Sequence, residues 1–366
     1  MSDVLKILVV EDDDSLFEGY SDSAQEISEI EGVFIELTNA KNVEEALFEL
    51  SKCEFDAAII DLNLDGSSPE EAAGNSVISD IYNKSRFPIK VISGNLNNLQ
   101  ADIREKESPF LSFHDRVVEN NDVFSDFVRL YKTGITKILG RRGKLEEKLS
   151  EVFWNHLAND MDGWSRDGCD EDTLLRYTLN HLNEYLDRST LTYNEREFYI
   201  KPPIQPQIAT GDVVKNGENR YIVLSPACDI APRGSDGDIP KINARSIILC
   251  PLINLNREAW LENGVIKEGD NSKALGSTLK KIVSNQDPKY HFLPEHGDLL
   301  ASVSDFQNIE SCSIAEYIGF ERLATVSVSF MKEIHARFVA YIGRQGQPDL
   351  DKEMLVEKHI NSIKAH

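Results

Sequence analysis

Asp56-Ala57-Ala58-Ile59-Ile60-Asp61-Leu62-Asn63-Leu64-Asp65-Gly66, DAAIIDLNLDG, decides how the first third of the chain is read. Four apolar residues, Ala57 to Ile60, run unbroken into an acid. A short unbroken run of this kind predicts a strand buried on both faces of a parallel sheet. Asp61 then stands at the carboxyl end of that strand, the edge of an open α/β sheet where ligands and chemistry collect.

Similar signals lie on either side. Lys6–Val10, Val33–Leu37, Ile89–Ile92 and Phe110–Phe113 read as further strands. Helical spacing covers Ser15–Ile30, the stretch after the Asn42 cap, Ser76–Tyr82 and Leu96–Glu107. Five βα units with short connections predict a doubly wound, five-stranded parallel sheet over residues 1–120. The segment Ser67 to Ala73 lengthens the connection after the third strand. Residues 121–193 carry helical periods and read as a helical connector, which either packs within the chain or forms a dimerisation surface. From residue 194 short β-prone runs alternate with Gly, Asn and Pro, predicting a mixed α/β domain with a β-barrel-like start over 194–366.

Charge is unevenly placed. Residues 1–120 hold 26 acidic and 9 basic side chains, so −17 of the net −23 belongs to the first third. Such a field argues against a nucleic-acid partner. No apolar run approaches the roughly 18 residues of a membrane span. The N-terminal MSDVLKILVVEDDD lacks the basic region and cleavage site of a signal peptide, and the five scattered cysteines form no CxxC pair. A cytoplasmic protein is expected.

Three strand ends of the first domain carry oxygen groups: Glu11, Asp12 and Asp13 after the first, Asp61 after the third, Ser93 after the fourth. Like charges gathered at one edge are costly unless a cation compensates them. Oxygen ligands with room for water suit Mg²⁺. One carboxylate can then act as nucleophile towards a phosphoryl group stabilised by the metal and a hydroxyl.

On the motifs KILVVEDDD, IIDLNLDG and KVISGN, residues 1–120 resemble a response-regulator receiver domain of the CheY-like family. The resemblance implies Glu11 and Asp12 as the Mg²⁺-binding pair and Asp61 as phosphoacceptor and ligand. It implies the Asn63 backbone carbonyl as a further ligand, Ser93 as the hydroxyl that meets the phosphoryl group, and Phe113 as the aromatic switch. Receivers usually place a lysine after the fifth strand. Here Phe110-Leu111-Ser112-Phe113-His114-Asp115-Arg116 has none. Arg116 is the candidate replacement, because a guanidinium binds phosphate bidentately. A working site and a receiver-shaped fold that no longer transfers phosphate both stand as readings.

The resemblance further implies an atypical bacterial response regulator whose partner is a histidine kinase or phosphotransfer protein. Its output would be contact with an effector protein or homodimer formation rather than DNA binding, in stress or antiphage defence signalling. A phosphate sink without output of its own is one alternative. The other is a receiver-regulated enzyme with a nuclease-like C-terminal domain. Gly211-Asp212-Val213-Val214 followed by Tyr221 to Pro226 faintly resembles the opening of toxin-like endoribonuclease barrels, and Cys228, His291 and Arg337 are the residues such an enzyme would use. No P-loop or HExxH motif is found.

Overall fold

The computed structural model describes residues 4–64, 73–140, 143–164, 169–189, 192–204, 206–231, 242–346 and 348–364. The chain divides into two compact units, Met1–Thr190 and Leu191–His366. Asp65, Gly66 and all of the Ser67 to Ala73 segment except Ala73 lie outside the described residues.

The first unit opens with β1 (Val4–Val10), α1 (Asp14–Glu31), β2 (Phe34–Ala40), α2 (Val43–Lys52), β3 (Ala57–Ile60) and α3 (Gly74–Lys84). It continues with β4 (Ile89–Ile92), α4 (Ala101–Arg104), β5 (Leu111–His114) and α5 (Asn120–Lys132). All strand pairs are parallel, in the order β2-β1-β3-β4-β5. The two-residue period of a strand explains both layers. Leu8, Val10, Ala58 and Ile60 pack on one face with Ala46 of α2, Val77, Ile78 and Ile81 of α3, and Ile103 of α4. Ile7, Val9, Ala57 and Ile59 pack on the other with Tyr20, Ala24 and Ile27 of α1 and Phe124, Phe127 and Val128 of α5.

Two expectations change in detail. The packed layer runs past residue 120, because α5 buries Phe124 and Phe127 against the sheet. The helix expected over Leu96–Glu107 is a 3-10 turn, Leu96–Asn98, followed by the single turn of α4. Asparagines there bond locally and compete with helix formation. After α5 come α6 (Ile135–Leu139), α7 (Lys144–Val152), a π-helical turn Phe153–Leu157, α8 (Met161–Trp164) and α9 (Glu171–Ser189). Leu175, Leu179 and Leu186 of α9 are exposed.

The second unit contains β6 (Tyr199–Ile200), β7 (Asp212–Asn216), β8 (Asn219–Val223), α10 (Ala227–Ile230), β9 (Ser246–Asn254), α11 (Arg257–Glu262) and α12 (Ser272–Val283). It ends with β10 (Tyr290–Leu293), β11 (Ser302–Asp305), β12 (Glu310–Ser313), α13 (Ile314–Tyr317), β13 (Glu321–Val326), α14 (Val328–Ile342) and α15 (Lys352–Lys364). The strands pair antiparallel in the order β10-β11-β9-β8-β7-β13-β6, with β12 on the remaining half of the β9 edge. The sheet rolls until its edges approach: the Tyr199 hydroxyl of β6 donates to the Pro294 carbonyl just after β10, at 3.0 Å. Met331, Ile334 and Phe338 of α14 pack with the enclosed apolar face.

Candidate functional site

Backbone hydrogen bonds carry each strand pairing of the first unit one residue further and so place the polar groups. Glu11 N–H donates to the Ala40 carbonyl at 3.0 Å, Asp61 N–H to Val10 at 2.9 Å and Ser93 N–H to His114 at 3.1 Å. All three side chains are buried at the carboxyl edge of the sheet. Ligand oxygens of Glu11, Asp12 and Asp61 lie within 4.8 Å of one another. Asp13 does a different job: its carboxylate accepts from Ser15 N–H at 2.8 Å and caps α1.

Arg116 reaches the site. Its Nη2 donates to Asp61 Oδ2 at 2.6 Å, and the Arg116 side chain remains partly exposed. Asp61 Oδ1 is buried and has no hydrogen-bond partner among the described residues. A buried carboxylate oxygen left bare is costly and marks a place for a ligand. Burial pushes the Glu11 carboxyl up to about 7; the Asp13 N–H opposes this and the Asp61 charge adds to it. Clustered oxygens, one of them orphaned, fit a hard divalent cation.

The order β2-β1-β3-β4-β5 is the doubly wound order whose ligand site lies at the β1/β3 carboxyl ends, where this cluster stands. The sheet and its helices form a doubly wound, flavodoxin-like α/β fold. Similar solved structures include the CheY-like receiver domain from Methylobacillus flagellatus, 17% identical, covering 36% of this chain and 98% of that one, with a TM-score of 0.25. Another is the CheY-like receiver domain protein from Methanospirillum hungatei JF-1, at 19% identity, 36% and 95% coverage and a TM-score of 0.28. A third is the receiver domain of a sensor histidine kinase from Pseudomonas aeruginosa PAO1, at 16% identity, 34% and 95% coverage and a TM-score of 0.26; that structure has a magnesium ion coordinated in its active-site cleft. No family model matches the chain, and no curated protein matches it in sequence.

Of the other residues read from the receiver sequence, Asn63 directs its side chain at Ser93, with Nδ2 to Oγ at 3.4 Å. Phe113 is half-buried and packs against the α2/α3 core. Sequence reading overlooked Gly74, where a Cβ would stand 2.3 Å from the Asp61 carbonyl oxygen and 2.9 Å from Leu62 Cα. Glycine lets the start of α3 lie against the nucleophile's backbone. Gly74→Ala is expected to lower the melting temperature and slow phosphoryl labelling; calorimetry and Phos-tag electrophoresis check both.

In the second unit the expected catalytic residues do not assemble. Cys228 lies exposed in α10, near its neighbour Asp229. His291 lies in β10, which β11 and β9 separate from the β8 end that leads to Cys228. Arg337 donates to the carbonyls of Asn285, Asp287 and Tyr290, so it ties a loop. Asp212 is fully buried and accepts from Arg322 Nε at 2.9 Å, Arg322 Nη2 at 3.1 Å and Thr325 Oγ1 at 2.6 Å. Gly211, at φ +87, takes a backbone shape that favours glycine. The Gly-Asp pair thus serves the barrel.

Burial, with the Arg337 charge adding to it, pushes His291 down to about 3. An unfolded histidine takes a proton near 6.5. The folded state therefore binds fewer protons between these values, and stability present above 6.5 is lost as pH falls towards 3. Melting temperatures from pH 7 to 4 should fall more steeply for wild type than for His291→Phe.

Proposed function

We propose that the chain is an atypical response regulator in which Asp61 accepts a phosphoryl group from a histidine kinase or phosphotransfer protein. The observation that carries this reading is the buried carboxylate of Asp61, with Oδ1 orphaned, between Glu11, Asp12 and Arg116. An Asp61 oxygen bonds to phosphorus as the bond from phosphorus to the donor's nitrogen or oxygen breaks, and the donor leaves with that electron pair. Glu11, Asp12, Asp61 and the Asn63 carbonyl would hold Mg²⁺, which when bound supplies positive charge beside the transferring oxygens. Arg116 holds Asp61 in place and, being planar and permanently charged, can turn its fork to the phosphoryl group. Ser93 donates its hydroxyl proton to a phosphoryl oxygen, and Phe113 reports the change by repacking.

Output runs through protein contact or a change of assembly. The exposed leucines of α9, at spacings of 4 and 7 residues, support an assembly surface on the helical connector. Such a regulator works in the bacterial cytoplasm. Asp61→Asn keeps the shape and removes the nucleophile. Acetyl phosphate with magnesium should label wild type and leave this variant unlabelled on a Phos-tag gel; equal labelling would sink the assignment.

A further inference from the structure

Three asparagines near the site form a one-way chain of amide hydrogen bonds that ends on Ser93. Asn95 Nδ2 donates to Asn98 Oδ1 at 3.4 Å, and Asn98 Nδ2 donates to Asn63 Oδ1 at 2.9 Å. Asn63 Nδ2 then donates to Ser93 Oγ at 3.4 Å. The backbone of Asn98 is held in turn, since its carbonyl accepts from Asn75 Nδ2 at 3.0 Å while Asn75 Oδ1 accepts from Gln100 N–H at 3.2 Å. Asn75 and Ser93 are buried.

An amide has a donor end and an acceptor end, so the direction of each link sets the next. With the NH₂ of Asn98 on its oxygen, Asn63 must turn its own NH₂ to Ser93. The Ser93 oxygen then accepts, and among the described residues no acceptor takes its proton. We propose that Asn98 is a positioning residue that orients the Asn63 amide and thereby keeps the Ser93 hydroxyl free to donate to a phosphoryl oxygen. This rests on the phosphoacceptor reading above. It adds to that reading a residue of the β4–α4 turn that acts through the side chain of Asn63, whose backbone carbonyl is a proposed metal ligand. Placing the donor in advance avoids reorganisation when charge arrives.

Asn98→Asp reverses the chain. A carboxylate only accepts, so Asn63 flips its amide, turns its oxygen to Ser93 and takes the hydroxyl proton. Asn98→Leu leaves Asn63 without an orienting partner. The test is the rate of labelling of the full chain by acetyl phosphate with magnesium, for wild type, Asn98→Asp, Asn98→Leu, Ser93→Ala and each Asn98 variant combined with Ser93→Ala. Asn98→Asp should slow labelling about tenfold and Asn98→Leu somewhat less, and both penalties should shrink to within about twofold when Ser93 is already alanine. A penalty of equal size in both backgrounds would reflect added charge or a damaged turn and would overturn the proposal. So would an Asn98→Asp rate equal to wild type. Failure of wild type itself to label would instead overturn the phosphoacceptor reading, and this inference with it.

Discussion

Glu11→Gln combined with Asp12→Asn is expected to lower magnesium-dependent labelling of Asp61 by on the order of a hundredfold or more, while raising the melting temperature of the metal-free protein. Both effects follow from one arrangement. Three carboxylates whose oxygens lie within 4.8 Å of one another repel, and Glu11 meets that repulsion and its own burial by holding its proton up to about 7. Amides keep the size and one oxygen of each side chain but remove the charge that attracts a cation. The fold loses a source of repulsion at the same step by which the site loses its metal. A pair serving only the fold would give the opposite thermal result. Labelling rates across a magnesium titration, together with calorimetry in chelator, separate the two.

Arg322→Leu is expected to cost the second unit about 3–5 kcal/mol, because it strands the Asp212 carboxylate inside the protein. For a unit of this size that is a fall in melting temperature of roughly 10 °C. Asp212 also accepts from Ala209 N–H and the Tyr317 hydroxyl, so its oxygens are fully used in the native state. Loss of the guanidinium removes the only charge partner among the described residues while leaving the acid buried. Asp212→Leu added to Arg322→Leu should recover part of the loss, since a well-packed apolar pair avoids the stranded charge. Calorimetry of wild type and the two variants checks this. An unchanged melting temperature in Arg322→Leu would contradict the structural role of the Asp212–Arg322 pair.

Much of the acidic site was legible because its signals are local. An unbroken run such as Ala57 to Ile60 has one simple explanation in a domain of alternating strands and helices, and the polar residue that ends each run falls at the same sheet edge. Arg116 could be nominated from charge alone, since the segment after β5 offers no other strong cation before α5 begins. The remainder was hidden for identifiable reasons. Asn63 and Asn98 are 35 residues apart, and asparagine in a surface turn carries no period that would pair them. Gly74 matters through a close approach that only the folded backbone reveals. In the second unit Asp212 and Arg322 are 110 residues apart and meet across a β-ladder. Short motifs there, such as Gly211-Asp212 and Cys228-Asp229, look chemical in isolation; the rolled sheet buries the acid of the first in an ion pair with Arg322, and the second lies exposed in α10.

The most direct test of the central claim is the intact mass of the wild-type chain after acetyl phosphate, with magnesium and with chelator, followed by peptide mapping of the adduct. One phosphoryl group on Asp61, gained only when magnesium is present, is the predicted result. No gain under either condition, or a gain at another residue that chelator leaves untouched, would contradict it.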